Sequence, residues 1–539
     1  MPQEKTSDAS HEPPTPDPTP QPALGPALEE DQVLSRSVLW DAQRAFYDEI
    51  GIDAWRGPVP HYITSNPRFA QAYADVILGY ARDAQATLRG RTLDIIELGA
   101  GSGRFSYYFL RAFTEALDAS SLRGLPFRYI VTDFTARNVD FCAGHAALAS
   151  FVARGVLDFA VFDAEHDDAL DLRCSGARLS PGKGDGPIAA IANYVFDGLP
   201  QDAFKVKGGT LFETRVSTYA PDPSRRDTDR GILDHLTIRF RDRAAGAVSY
   251  DDALLDEILR GYARMPRAQF LFPHAALRCV GRLGALGAGP LLALIGDKGN
   301  DLDDITASDG GADGEGPYIA RHGSISVSLN FHAFAELARL RGGRTLRTSF
   351  RQADVVTAAV LLGEHPAGFP ETALAFRSAF EHQGPDDIYA LRGALADDRG
   401  AGDASTVLAV IRATGWDPRV VEKCLPLLAR FAPTADDDMR NDLVVAILRA
   451  YANYYPIGED ADLAFDLGAF LYSIGEARHA LAMFRDSERD LGARAETRWN
   501  AGLCHLALRA VDDASRCFAE ASAIDPAFVP SHSLQSKRR

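Results

Sequence analysis

The stretch from Leu93 to Leu110, Leu-Asp-Ile-Ile-Glu-Leu-Gly-Ala-Gly-Ser-Gly-Arg-Phe-Ser-Tyr-Tyr-Phe-Leu, constrains this 539-residue chain more than any other. An apolar run with an acid near its end, then three alternate glycines, then an amphipathic run, predicts strand, tight loop and helix. Glycines at 99, 101 and 103 free the backbone for positive φ. They also let its N–H groups approach a ligand that a Cβ would hold away. Such a strand–loop–helix unit belongs to a doubly wound α/β sheet, where ligands sit at the carboxyl ends of strands.

The glycine spacing separates two cofactor classes. The pyrophosphate fingerprint G-x-G-x-x-G needs its third glycine at position 104, which is Arg104. Glu97, Gly99, Gly101 and Gly103 instead follow an acid-x-G-x-G-x-G spacing that resembles the loop of class I S-adenosylmethionine (SAM) methyltransferases, a Rossmann-like fold with a mostly parallel sheet. The resemblance implies SAM as cofactor, with the loop around its amino-acid end and Glu97 helping to place the ammonium. The plain alternative is a glycine-rich turn with no ligand.

Two further strands end on acids. Phe127 to Asp133 is the next strand, and an acid there can accept both ribose hydroxyl protons. Asp133 can equally cap the helix that follows, and the two roles are compatible. Leu157 to Asp163 is the third, where the family resemblance implies that Asp163 meets the adenine, with Phe162 or Ala164 against the ring.

The fourth strand leads into Asn193-Tyr-Val-Phe-Asp197-Gly-Leu-Pro200, with Glu213-Thr-Arg-Val216 further on. Together with Asp297-Lys-Gly299 and the run Arg321 to Phe331, these resemble the MidA-type methyltransferases. That family includes the arginine methyltransferase assisting mitochondrial complex I assembly. The resemblance spans roughly residues 59 to 362 and places the methyl acceptor beside Asn193, with Asp197 and Glu213 as carboxylates able to hold a cation. Tyr194 stands where the family carries a glutamate, and Ser and Asn330 replace two later aspartates. A sulfonium needs an aligned nucleophile with a free lone pair, and a nitrogen acceptor must also lose a proton, which a carboxylate such as Asp197 can take. Asp197-Gly-Leu-Pro can also be a simple turn.

The C-terminal third reads as helical. Gly468, Ala480 and Phe484 recur as Gly502, Ala514 and Phe518, a period of 34 that resembles tetratricopeptide (TPR) repeats. Such arrays bind peptides or partner proteins, and the alternative is helices that cap the first domain or drive self-association. The expected organisation is a disordered Pro- and acid-rich tail over 1–31, a methyltransferase domain over 32–362 with an insertion at about 200–285, and helices over 371–460. Two TPR-like repeats over 461–530 and a basic tail over 531–539 follow. His61, Tyr62 and Asn66 are expected either as a lid on the cofactor or as a loop with a helix cap.

A net charge of −17 argues against nucleic acid as the main partner. The six cysteines are scattered without metal spacing, so they read as reduced core residues, and no metal is expected. No apolar run is long enough to span a bilayer, the longest, Leu283 to Gly296, reading as a buried strand with its approach loop. The N-terminus lacks a signal-peptide pattern, which makes the cytoplasm the expected location. The expected function is SAM-dependent methylation of a protein or peptide nitrogen, with the helical array recruiting substrate or partner. The alternatives are a non-catalytic scaffold and a small-molecule N- or O-methyltransferase.

Overall fold

The structure, a computed structural model, describes residues 25–57, 62–220, 232–307, 315–321, 323–350, 355–365, 367–396, 403–459 and 461–530. Most of the expected N-terminal tail (1–24), the basic tail (531–539) and His61 lie outside the described residues.

Seven strands form the central sheet: β1 (Leu93–Leu98), β2 (Phe127–Asp133), β3 (Leu157–Val161), β4 (Ile188–Asn193), β5 (Leu291–Asp297), β6 (Arg344–Arg347) and β7 (Val356–Leu362). Their spatial order is β6-β7-β5-β4-β1-β2-β3. Strands β1 to β5 pair in parallel, and only β7 runs antiparallel to both of its neighbours. Helices cover both faces, which is why β1 is apolar or buried along its whole length rather than alternating with exposed residues. Leu93 and Ile95 face one helical layer, and Ile96 and Leu98 the other. The first layer holds α2 (Pro67–Asp83) and α3 (Arg104–Asp118); helix α1 (Val38–Ile50) precedes them, and α4 (Ala136–Gly144) follows β2. The strand order reverses between β1 and β4, and such a reversal opens a crevice at the carboxyl ends of the two strands.

Between β4 and β5 the chain builds a second, antiparallel sheet from Asp202–Lys207, Thr210–Tyr219, Thr237–Ala244 and Arg267–Phe272. Its fifth strand, Ala27–Gln32, comes from the end of the expected tail. Glu29 secures it, accepting from Val38 N–H at 3.0 Å, from Thr218 Oγ1 at 2.8 Å and from the Ser37 hydroxyl. A polar segment recruited by backbone pairing and one half-buried carboxylate carries no apolar pattern for sequence to reveal. The stretch expected as one strand with its approach also divides, since Leu283 to Leu286 close the helix His274–Leu286 before β5 begins.

The C-terminal region is helical, but its first helix, Pro370–Phe380, packs on α2 as part of the α/β unit. Phe376 and Phe380 join that core, and a Cβ on Gly79 would come within 2.7 Å of the Glu371 carbonyl. Further on stand the helix pairs Leu463–Ser473 with Ala477–Leu491 and Ala495–Ala507 with Val511–Ile524. The 34-residue periodicity has a direct steric meaning: a Cβ on Gly468 would lie 2.9 Å from the Phe484 ring, and one on Gly502 2.5 Å from the Phe518 ring. Phe465 and Trp499, again 34 apart, complete the pattern by packing on those rings at 5.5 and 4.5 Å. Of the six cysteines five are buried, while Cys174 is exposed in a turn.

Phe484 is 1 % exposed and hemmed in, whereas Phe518 is partly exposed and has room to yield. Gly468→Val should therefore destabilise the helical region by about 2 kcal/mol, the usual cost of overpacking, and Gly502→Val by clearly less, as read by urea denaturation.

Candidate functional site

Strand β1 runs into a loop whose glycines 99, 101 and 103 all take positive φ, at 57°, 55° and 74°. A different part of the chain confines each one. Cβ atoms at these positions would come within 2.8 Å of Val195 after β4, 2.5 Å of Trp55 in the turn after α1, and 2.8 Å of Cys142 in α4. The loop floors a cavity at the reversal between β1 and β4, also lined by Tyr47, Phe134, Asp163, Asn193, Asp197 and Lys298.

Glu97 is buried on the cavity floor. Its Oε2 accepts from Tyr129 at 2.7 Å and from the Ser106 hydroxyl, and no cation stands against it among the described residues. Burial pushes its pKa up to about 7, beyond what those two hydroxyls counteract, and Asp133 adds to the rise.

Asp133 ends β2 and clasps the glycine loop: its Oδ2 accepts from Gly101 N–H at 3.1 Å. Its Oδ1 accepts from Thr135 N–H and Oγ1, both at 2.9 Å, and from Asn138 Nδ2 at 3.2 Å. The cap of α4 is Thr135, which Asp133 holds in place. Burial still keeps the carboxyl above its ordinary pKa despite those donors.

Asp163 behaves oppositely. Burial works to raise its pKa, but hydrogen bonds from Arg44, at 2.6 Å, and Glu165 N–H, at 2.9 Å, outweigh it and hold the carboxyl below the usual range. Arg44 lies in α1, with its guanidinium 4.9 Å from the Phe134 ring centroid.

Across the cavity, Asn193 Oδ1 accepts from Tyr73 at 3.0 Å. Tyr194 has φ of 53°, a conformation that costs a bulky side chain energy and that clusters at functional sites. Its N–H donates to the Gly296 carbonyl at 2.9 Å, joining the ends of β4 and β5. Asp197 is buried, which pushes its pKa up to about 6 against the lowering effects of Asp297, Lys298 and Ser326.

Glu97, Gly99, Asp133, Asp163, Asn193 and Asp197 thus converge on one cavity, with Gly101 and Gly103 in the loop beneath. Glu213 does not join them. It lies on the second sheet opposite Phe204 and Arg243, ion-paired with Arg215 at 2.5 Å. In the expected lid, Thr64 and Ser65 reach the cavity, while Asn66 is the cap of α2, accepting from Phe69 N–H at 2.9 Å. Tyr62 points elsewhere, donating to Asp417 of the helical region at 2.7 Å. Among the described residues no three His, Cys, Asp or Glu side chains cluster as a metal site, and no helix is long and apolar enough to cross a membrane.

The apolar spacing from Val33 to Gly51 predicts the helix α1 but not its place at the site, where α1 and the turn after it supply Gln43, Arg44, Tyr47 and Trp55. The available signal was Gln43 and Tyr47 at a spacing of four, which places them on one helix face. The helical region also meets the loop from behind. Residues after the helix Asp437–Ala452 wrap the back of the glycine loop: Arg104, 3 % exposed, donates to the Tyr455 carbonyl at 3.2 Å and pairs with Glu459. The Tyr455 ring stacks on His145 at 3.7 Å, and Arg56 donates to the Ile457 carbonyl at 2.7 Å. The residue that breaks the dinucleotide fingerprint is therefore an anchor between the two regions.

Neither a scan against protein-family models nor a search of the curated proteins finds a match to this chain.

A carboxyl raised from 4.5 to about 7 makes the fold lose stability as pH rises through that window, because ionisation is harder in the folded state. The cost at pH 8 is on the order of 3 kcal/mol. Glu97→Gln keeps an acceptor for Ser106 and Tyr129, so it should stabilise the protein at pH 8 and change little near pH 4.5, as measured by denaturant unfolding at the two values.

Proposed function

We propose that this chain is a SAM-dependent methyltransferase of the MidA type, acting on a nitrogen of a protein or peptide. The observation that carries this is the charge of the cavity: Glu97, Asp133 and Asp197 are buried carboxyls at its wall, among aromatic rings from Tyr47, Trp55 and Phe134. A cationic ligand relieves the burial of those groups, and its positive charge is favoured by the aromatic faces. A pyrophosphate would bring more negative charge against Glu97 and Asp133, so the electrostatics agree with the glycine spacing in disfavouring a dinucleotide.

In this assignment Glu97 and the glycine loop hold the amino-acid end of SAM, Asp133 the ribose and Asp163 the adenine side. Bound SAM supplies an electrophilic methyl group. The chain's own part is to align an acceptor and receive its proton, for which Asn193 and Asp197 stand across the cavity from the loop. Arg44 now holds Asp163, so α1 must release that carboxylate or share it when the ligand enters. The helical region, fixed to the back of the loop through Arg104 and Tyr455, would present a protein substrate at an elevated local concentration.

Calorimetry with S-adenosylhomocysteine tests the assignment directly. The full-length protein should bind it, and Glu97→Gln or Asp133→Ala should each weaken binding about tenfold or more. Absence of binding by the wild type would sink the proposal. Methyl-labelled SAM added to protein and lysate should then place label in the protein fraction; label confined to small molecules would overturn the assigned substrate class.

A further inference from the structure

Asp297 ends β5, Asp197 follows the neighbouring parallel strand β4, and the two side chains meet behind the cavity wall. They are 0 % and 4 % exposed, with their carboxyls in hydrogen-bond contact. Phe196 N–H donates to Asp297 Oδ2 at 3.1 Å, whereas Oδ1 of Asp297 receives no N–H or O–H among the described residues. Two ionised carboxylates cannot hold such a contact in a buried site, and one proton shared between them resolves both features. The groups facing the pair are Lys298, Ser326 and Tyr47 around Asp197 and Tyr73 beside Asp297. Lys298 is the one cation among them and can offset a single negative charge.

We propose that Asp297 retains the proton of this pair and so keeps Asp197 as the ionised base for an acceptor nitrogen that must shed a proton: an amine, guanidinium or amide. This rests on the methyltransferase assignment above. A carboxylate or thiolate acceptor would need no such base. As the acceptor nitrogen forms its bond to the methyl carbon, the S–CH3 bond breaks and its electron pair stays on sulfur. The N–H proton passes to Asp197, so the pair goes from one proton to two and returns the second to solvent. Asp297 does not line the cavity and is a positioning residue. Burial, with Asp197 beside it, pushes its pKa well above the ordinary value, and Asp197 is left near 6.

Full-length protein labelled with 13C at its aspartate carboxyls allows a direct test by isotope-edited infrared spectroscopy. At pH 8 the wild type should retain a protonated aspartate band, and Asp297→Asn should lose it. No such band in the wild type, or a band that survives in Asp297→Asn, would overturn the proposal. Methyl transfer supplies a second measure. Asp297→Asn keeps the donor and acceptor pattern of the protonated acid and should preserve the acidic limb of the pH profile. Asp297→Ala removes the donor and should move that limb up by about one pH unit; equal limbs in the two variants would count against it. Binding of S-adenosylhomocysteine by each variant verifies its fold. If the wild type shows the band but binds no S-adenosylhomocysteine, the methyltransferase assignment fails while the shared proton stands.

Discussion

Three positive-φ glycines bring the backbone between Leu98 and Arg104 so close to its surroundings that a Cβ on any of them would overlap Val195, Trp55 or Cys142. Those neighbours come from the far side of the sheet reversal, from the turn after α1 and from α4. Tyr455, from the helical region, closes over the same loop, its hydroxyl 2.9 Å from where a Cβ on Gly103 would stand. Everything that defines the cavity is arranged around this loop, because only a loop without side chains lets so many elements meet it. Arg104, the first residue of α3, then ties it to Tyr455 and Glu459.

The electrostatics follow from burial. Glu97, Asp133, Asp197 and Asp297 are all nearly or fully enclosed, and in each the loss of water is the largest influence on the proton. What differs is the compensation. Asp133 receives four hydrogen bonds and serves as a structural clasp, Asp297 and Asp197 lean on one another, and Glu97 has only two hydroxyls. Asp163, paired with Arg44, is the one carboxylate of the cavity held clearly in its charged form. On the proposed assignment, the cation of SAM would offset the buried carboxyls at one end of this cavity.

Much of the α/β unit was legible because its signals are local. Strand β1, the glycine loop and α3 follow from apolar runs and glycine placement within twenty residues, and β2 falls where the apolar run from Phe127 to Asp133 puts it. The acids ending β1 and β2 face the cavity because ligands meet parallel sheets at strand ends. Glu213 could not be placed the same way: its position depends on the register of an antiparallel hairpin, which carries it to the second sheet. The strand Ala27–Gln32 was hidden for a related reason, since its stability comes from a partner almost two hundred residues away.

The sequence by itself determined the parallel α/β core, the cradle at Glu97 to Gly103 and the 34-residue helical period, because backbone freedom and hydrophobic spacing act over short distances along the chain. Tertiary structure alone decided that α1 and Trp55 close the cavity, that Arg44 holds Asp163, that Asp197 meets Asp297, and that the helical region braces the loop through Tyr455. These are contacts between segments distant in sequence, set by how helices dock on the sheet and by which buried charge finds a partner. No local pattern encodes them.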